Sequence, residues 1–223
     1  MRVNVLLGLL AIAVLASPCA FGKDSGWAVV GKAGSMGFGA DIHRQLAPKL
    51  LNLRFGAGFF QISADFSNKD INYGATLKLG AVPIGVDVYP FKNWFRLEGG
   101  LLINLNGVDG TAKPNQGQIQ INGHTYSADQ VGQLNATLRV NRAAPFLGLG
   151  FGNPIKRGKH WGFTFDLGAM YHGHPKAVLS ATKTLSTQLQ SDLQQQQQSI
   201  ENDAKKYTFF PIIQFGISYH FSK

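Results

Sequence analysis

Six charged residues, Asp41, Arg54, Lys78, Arg96, Glu98 and Asp166, have types and spacings that could work together. Each lies in a stretch where apolar residues alternate with glycine or polar ones, and each falls on the polar side, as do Asp87 and Arg142. Charges gathered on one face of several strands can pair across an enclosed space, and buried charges must be paired. A second set, His172, His174, Ser180 and Asp166, holds the types of a base, a nucleophile and an orienting acid. Those groups must lie within hydrogen-bond reach of one another. No motif surrounds them, and the phase of His172 puts it among the inward polar residues. The six histidines are dispersed, so His172-x-His174 is weak as a metal site. No glycine motif leads into a helix to hold phosphate. No catalytic, cofactor or metal residues are therefore expected.

The elements that must carry the charges read as strands of period two. Met36, Phe38, Ala40 and Ile42 oppose Gly37, Gly39, Asp41 and His43, and Leu51 to Phe59 alternate with Asn52, Arg54, Gly56 and Gly58. Near Phe59-Phe60 the apolar phase changes to Phe60, Ile62, Ala64 and Phe66, as a β-bulge would produce. Tyr73 to Leu79 change phase likewise across Ala81-Val82-Pro83, giving Val82, Ile84, Val86 and Val88. Alternation returns at Phe95–Leu105, Ala143–Phe151, Trp161–Tyr171 and Phe209–Phe221. Between them, residues 107–137 are polar, with a small hairpin expected around Asn122-Gly123 and one helical turn capped at Ser127-Ala128-Asp129-Gln130. From Thr184 to Lys206, Leu185, Leu189, Leu193 and Ile200 fall at helical spacing around the run Gln194–Gln198. An amphipathic helix inside a loop is expected there, its stripe packed on the barrel mouth or another loop.

Energetic cost decides which face can meet lipid. Arg or Lys facing lipid near the midplane costs about 2–4 kcal/mol, so membrane strands must keep charge on the inner face. Aromatic residues support a bilayer: Tyr89, Phe91, Trp94, Phe95, Trp161, Phe163, Tyr219 and Phe221 gather by short turns, and Tyr73, Tyr171, Tyr207 and Phe209 at the opposite ends. Seven strands are easily counted; even parity requires an eighth from Ser25 to Lys32 with a tight turn at Ala33 to Ser35. One long strand from Trp27 to Leu46 is the alternative. The fold class expected is all-β: an eight-stranded antiparallel transmembrane up-and-down barrel with a helical insertion in its last outer loop. The turns at 45–49, 90–93 and 153–160 are then periplasmic, and the outer loops are 66–71, 107–137 and 175–207. Arg44, Lys49, Lys92, Lys156, Arg157 and Lys159 sit at the periplasmic turns, where anionic headgroups attract about 1 kcal/mol per cation.

Residues 1–22 are expected to be a signal peptide, with Arg2, an apolar run and a small-x-small site at Ala20-Phe21-Gly22. Pro18 before Cys19 argues against a lipoprotein signal. Residues 23–223 suit one domain, and the mature chain would hold no cysteine. Without Arg2, 20 of the 21 basic residues stand against 12 acidic ones, a net of +8, but no basic stripe suggests nucleic acid. The spacing Gln214-x-Gly216-x-x-Tyr219-x-Phe221 resembles the C-terminal assembly signal of bacterial outer-membrane barrels, although Ser222 and Lys223 follow the last aromatic.

Nearly the whole mature chain is similar to the small eight-stranded barrels of Gram-negative bacteria, the OmpA-barrel, OmpX, OmpW and opacity-protein group. Val82-Pro83 through Asp87-Val88-Tyr89-Pro90-Phe91, Ala144-Pro145-Phe146-Leu147-Gly148-Leu149-Gly150 and Phe165-Asp166-Leu167-Gly168 resemble a subfamily described only as outer-membrane protein. The resemblance implies an integral protein of the cell outer membrane. Its implied partners are lipopolysaccharide, inner-leaflet phospholipid, the barrel assembly machinery and a surface partner met through the loops. An eight-stranded lumen is just filled by side chains, so the expectation is a non-enzymatic structural or surface-interaction protein. A narrow OmpW-like channel is one alternative. An enzyme modifying lipid A, as some similar barrels are, is the other.

Overall fold

The structure, a computed structural model, describes residues 2–6 (backbone alone), 26–67, 71–114, 118–155, 158, 160–183 and 186–221. Most of the expected leader therefore lies outside the described residues. Its Arg2–Leu6 runs antiparallel along Gln61–Asp65. In chain order the elements from Trp27 are β1 (Trp27–Gly34), β2 (Gly37–Ala47), β3 (Leu51–Ser67), β4 (Ile71–Val88), β5 (Phe95–Asn104), β6 (Gly107–Pro114), β7 (Gln118–Ile121) and β8 (His124–Ser127). They continue with α1 (Ala128–Val131), β9 (Leu134–Arg139), β10 (Ala143–Phe151), β11 (Trp161–Tyr171), β12 (Lys176–Ala181), α2 (Thr187–Ala204) and β13 (Phe209–His220).

Eight of these strands close an antiparallel barrel in the order β3-β2-β1-β13-β11-β10-β5-β4, with β4 pairing back onto β3. The first hairpin resolves as two strands: Gly34 pairs with Gly37 and Ser35-Met36 make the turn, which excludes one long strand. A Cβ at Gly37, whose φ is +89°, would lie 2.7 Å from the backbone of Phe59, so only glycine fits this close strand crossing. Along β13, exposed Phe209, Ile213, Phe215 and Ile217 alternate with buried Ile212, Gln214, Gly216 and Ser218. Strand alternation thus sends the large apolar side chains to the outside of the barrel.

The phase changes near Phe59-Phe60 and Pro83 are not bulges, contrary to the sequence expectation. β3 and β4 keep one register from Leu51↔Val88 to Ser67↔Asn72. The shift in β3's other pairing falls elsewhere, at Gln45/Ala47. Each face of the strands changes its surroundings while keeping its direction. Below Phe59, inward residues such as Arg54 are polar and outward residues such as Phe55 are apolar. Above it, inward-phase Ile62 and Leu77 are apolar while outward-phase Gln61, Ser63, Thr76 and Lys78 are polar. A strand whose outward face passes from an apolar to a polar surround shows this inversion without any extra residue, and inward-phase Phe66, Tyr73 and Leu77 stay exposed there.

Residues 107–137 and 175–207 are likewise more than loops. β6 carries β5's pairing on: β4 pairs Ala81↔Asn104 with β5 and Lys78↔Gly107 with β6, the same register. β9 and β10 are continuous in the same sense, Arg139↔Gly107 leading to Ala143↔Ile103. β12 pairs with β9. The upper parts of β3 and β4, with β6, β9 and β12, form a raised wall on one side of the barrel. Its extended pairing escaped periodicity because β6 and β9 are short and rich in polar residues. The helix is found where it was expected, beginning at Thr187 behind an N-cap whose Ser186 Oγ accepts from Leu189 N–H at 3.2 Å. Leu185 lies outside the described residues. Leu189 and Leu193 pack with Ile121, Tyr126 and Val131, against Leu134, Leu179 and Ala181 of the wall's inner face. The β7–β8 hairpin turns at Asn122-Gly123, and Ser127 N–H donates to Gln130 Oε1 at 2.8 Å to open α1.

Candidate functional site

Alternation on six of the eight barrel strands aims a layer of charge into the lumen. Lys32 comes from β1, Asp41 and His43 from β2, Arg54 from β3, Asp87 from β4, Arg96 and Glu98 from β5, and Asp166 from β11; all are buried. Lys32 Nζ bridges Asp41 at 2.5 Å and Asp166 at 2.7 Å. Arg54 holds Glu98 at 2.7 Å and Asp166 at 3.5 Å, and its Nε lies 3.8 Å from Asp87. Arg96 donates to Asp166 and to the Gly152 carbonyl, with its Nε 3.7 Å from Asp87. His43 Nδ1 stands 3.1 Å from Asp87. Three fixed cations thus face four carboxylates, with His43 beside the fourth. The glycines opposite make room: a Cβ at Gly150 would fall 2.3 Å from Arg96 Nε.

A second layer lies against the charges. Met36, Ala81, Leu102, Ala144, Phe146, Met170 and Ile212 form one buried apolar cluster inside the barrel. Phe146 joins the layers, its ring 5.3 Å below the Arg54 guanidinium carbon. The cavity between them, lined by Met36, Arg54, Glu98, Phe146, Asp166 and Gln214 among others, leaves about 10 Å³ for the centre of a water molecule. That is room for about one water.

Of the six residues the sequence singled out, Asp41, Arg54, Arg96, Glu98 and Asp166 meet in this cluster. Lys78 does not. It lies on the outward face of the wall, above the barrel, and pairs with Asp109 at 2.9 Å. Its phase matches outward Ile84 and Val86, so its place on the polar side reflects the inverted wall and not the lumen. Sequence reasoning missed Lys32. The inward positions before it are Ala28 and Val30, so the strand shows no polar alternation to reveal it. Gln214, Gly216, Tyr219 and Phe221 share the closing strand and its end. Gln214 faces the charge layer, while Tyr219 meets Trp161 at 5.0 Å and Phe221 at 5.2 Å between ring centres.

No family model matches the chain, and no curated protein matches it. Among solved structures it is similar to CarO2 of Acinetobacter baumannii, with a TM-score of 0.56 and 22% identity over 87% of this chain and 98% of that one. CarO of the same organism gives 0.55 and 24% over 87% and 97%. The chain has the fold of a small outer-membrane β-barrel.

Within that barrel the candidate base, nucleophile and orienting acid are each engaged elsewhere. Asp166 is held by Lys32 and Arg96, Ser180 pairs with Asn135 on the wall, and His174 Nδ1 lies 3.1 Å from the Lys205 carbonyl. His172 is buried at the end of β11. At the end with the short turns, Trp27, Trp94, Phe151, Trp161, Phe163 and Tyr219 form an aromatic rim, with Arg44 over Trp27 at 4.9 Å. Lys49 and Lys92 lie at two of these turns with positive φ, and Lys156, Arg157 and Lys159 lie outside the described residues.

The cap formed by α2 and the β7–β8 hairpin has a polar clasp of its own. Asp192, buried on α2, accepts from the Tyr126 hydroxyl and from Asn122 Nδ2 at 3.2 Å, and stands 2.9 Å from His124 Nδ1. The Tyr126 hydrogen bond, helped by Asn122, Gln188 and His124 and opposed by burial, holds the Asp192 carboxyl below its ordinary range. The same bond, burial and the nearby charge push Tyr126 up to about 12. Asn122 also takes up the polyglutamine run, donating to Gln195 at 2.9 Å and Gln196 at 3.1 Å.

Proposed function

We propose that the protein is an integral, non-enzymatic outer-membrane barrel whose lumen is closed and whose contacts are made from its outer wall and cap. The membrane reading rests on the outward belt. Ile84, Leu101, Leu147, Phe163 and Phe215 are all more than half exposed, up to 80% at Phe163. A contiguous apolar surface of this extent is kept from water by lipid or by a partner. Its band height is bounded by the aromatic rim on one side and the polarity inversion at Phe59 on the other. In this orientation the short turns face the periplasm, their basic residues meet inner-leaflet phospholipid, and the wall and α2 stand outside the cell. Residues 1–22 direct export and the strand ending in Tyr219 and Phe221 is read by the assembly machinery.

The closed lumen is supported by one observation above the others: paired charges and an apolar layer leave space for about one water between them. A hydrated ion does not fit a gap of that size between the described residues. Single-channel recording of refolded protein in a planar bilayer tests this, after heat-modifiable gel mobility confirms folding. Silence is expected. Discrete, reproducible openings would overturn the closed lumen in favour of a narrow small-solute channel.

A further inference from the structure

One row of the wall has no explanation in the fold. Gln61, Lys78, Gly107, Arg139 and Lys176 are directly opposite one another across five strands, so their side chains share one face. That face is the outward one, continuous with Ile84 and Val86 of β4 below. Arg139 lies over Gly107, where a Cβ would come within 2.8 Å of its NH1, and reaches toward β4. Asp109 takes both neighbours, Lys78 at 2.9 Å and Arg139 at 2.6 Å. Lys176 makes no ion pair with a described residue, yet stands directly opposite Arg139. Like charges directly opposite on neighbouring strands repel. The row therefore carries three cations at a single level, with one carboxylate, Asp109, two residues along β6 from Gly107 on the same face. Leu105 and Tyr171, exposed and outward, lie below it on the same side. The row stands just above the apolar belt, within about two residues or roughly 7 Å along the strands.

The geometry points to a binding site for the phosphate groups of the outer-leaflet glycolipid lipid A, formed by Lys78, Arg139 and Lys176 and moderated by Asp109. Arginine offers a forked set of donors to phosphate and lysine a compact charge, both suited to this ligand. The position explains why cations are placed side by side: a phosphate between Arg139 and Lys176 would turn their repulsion into attraction. The site rests on the outer-membrane orientation proposed for the barrel.

The test is titration of full-length refolded protein in detergent with lipid A and with dephosphorylated lipid A, read by native mass spectrometry. Phosphorylated lipid A should bind the tighter. Lys176→Gln should weaken binding about fivefold, and the triple change K78Q/R139Q/K176Q on the order of 100-fold, as the removal of one and three cations implies. Asp109→Asn should strengthen it by freeing Lys78 and Arg139. Equal binding by wild type and the triple variant, or by both lipids, would overturn the site. Full displacement by millimolar inorganic phosphate would overturn the lipid assignment by showing a site for the free anion. Heat-modifiable mobility checks each variant's fold, and if the triple variant does not fold, the opposite shifts expected of K176Q and D109N carry the test. Insertion into vesicles is measured separately. A folded barrel that fails to insert would refute the membrane orientation, whereas an inserted barrel blind to phosphate would refute the site alone.

Discussion

Arg96 has no exposed surface and reaches Asp87, Glu98 and Asp166 together with the Gly152 carbonyl. Removing one member of such a cluster strands the others without water or a counter-charge. Arg96→Met is expected to cost about 3–5 kcal/mol, measured as a fall in the urea midpoint of the refolded barrel. Gly150→Ala should act through the same residue, since its methyl would occupy the place of the guanidinium stem. An unchanged midpoint in Arg96→Met would mean that the lumen is wet enough to solvate the carboxylates. The same dependence is seen at Lys32, whose loss would leave Asp41 and Asp166 short of their nearest cation.

Among the elements, α2 is held by a stripe and a clasp. Leu189 and Leu193 supply the apolar contact, and Leu193→Ala is expected to weaken docking by about 2–5 kcal/mol, the range for a buried leucine. Proteolysis within the helix should speed up while the barrel's gel mobility stays the same. The clasp has two pH edges. Asp192 is lowered in the folded protein, so its contribution is present above the unfolded carboxylate value of about 3.9 and is lost as pH falls through the folded one. Tyr126 is raised, so its contribution is present below the unfolded value of about 10 and is lost as pH climbs through about 12. Ultraviolet titration should show one phenolate forming near pH 12, absent in Tyr126→Phe. Acid release of the helix, followed by proteolysis, should disappear in Asp192→Asn. A tyrosine step unchanged by Tyr126→Phe would show that the hydroxyl is not held by Asp192.

At the scale of the molecule, two surfaces of opposite polarity share the same strands. Leu101, more than half exposed, stands in the outward belt, whereas Leu77 lies on the inner face of the wall above it. Leu101→Arg should therefore cost about 2–4 kcal/mol in lipid, as a midplane arginine does, and Leu77→Arg much less. Folding equilibria of the two variants in vesicles give the comparison. Equal small costs would mean that the belt is not in a bilayer. The raised wall also explains why a barrel of this width carries so much structure at one end: β4, β5 with β6, and β9 with β10 each extend beyond the closed barrel, and α2 covers part of the resulting inner face.

By itself the sequence determined the alternation, and alternation is enough to define strands and their two faces. Phe209 to Phe221, the segregation of Asp41, Arg54, Arg96, Glu98 and Asp166, the Asn122-Gly123 hairpin and the helix around Leu189 and Leu193 were all legible for that reason. Periodicity tells which residues share a face. It does not tell what the face meets. Only the tertiary structure decided that Lys78 belongs to the outside, that Lys32 completes the lumen cluster, and that the phase changes near Phe59 and Pro83 are one unbroken register passing from one environment to another. The pairing of β6, β9 and β12 was hidden for a related physical reason. Their hydrogen bonds join residues far apart in the chain, and their short segments carry too few apolar positions to announce a strand before the neighbouring strands are in place.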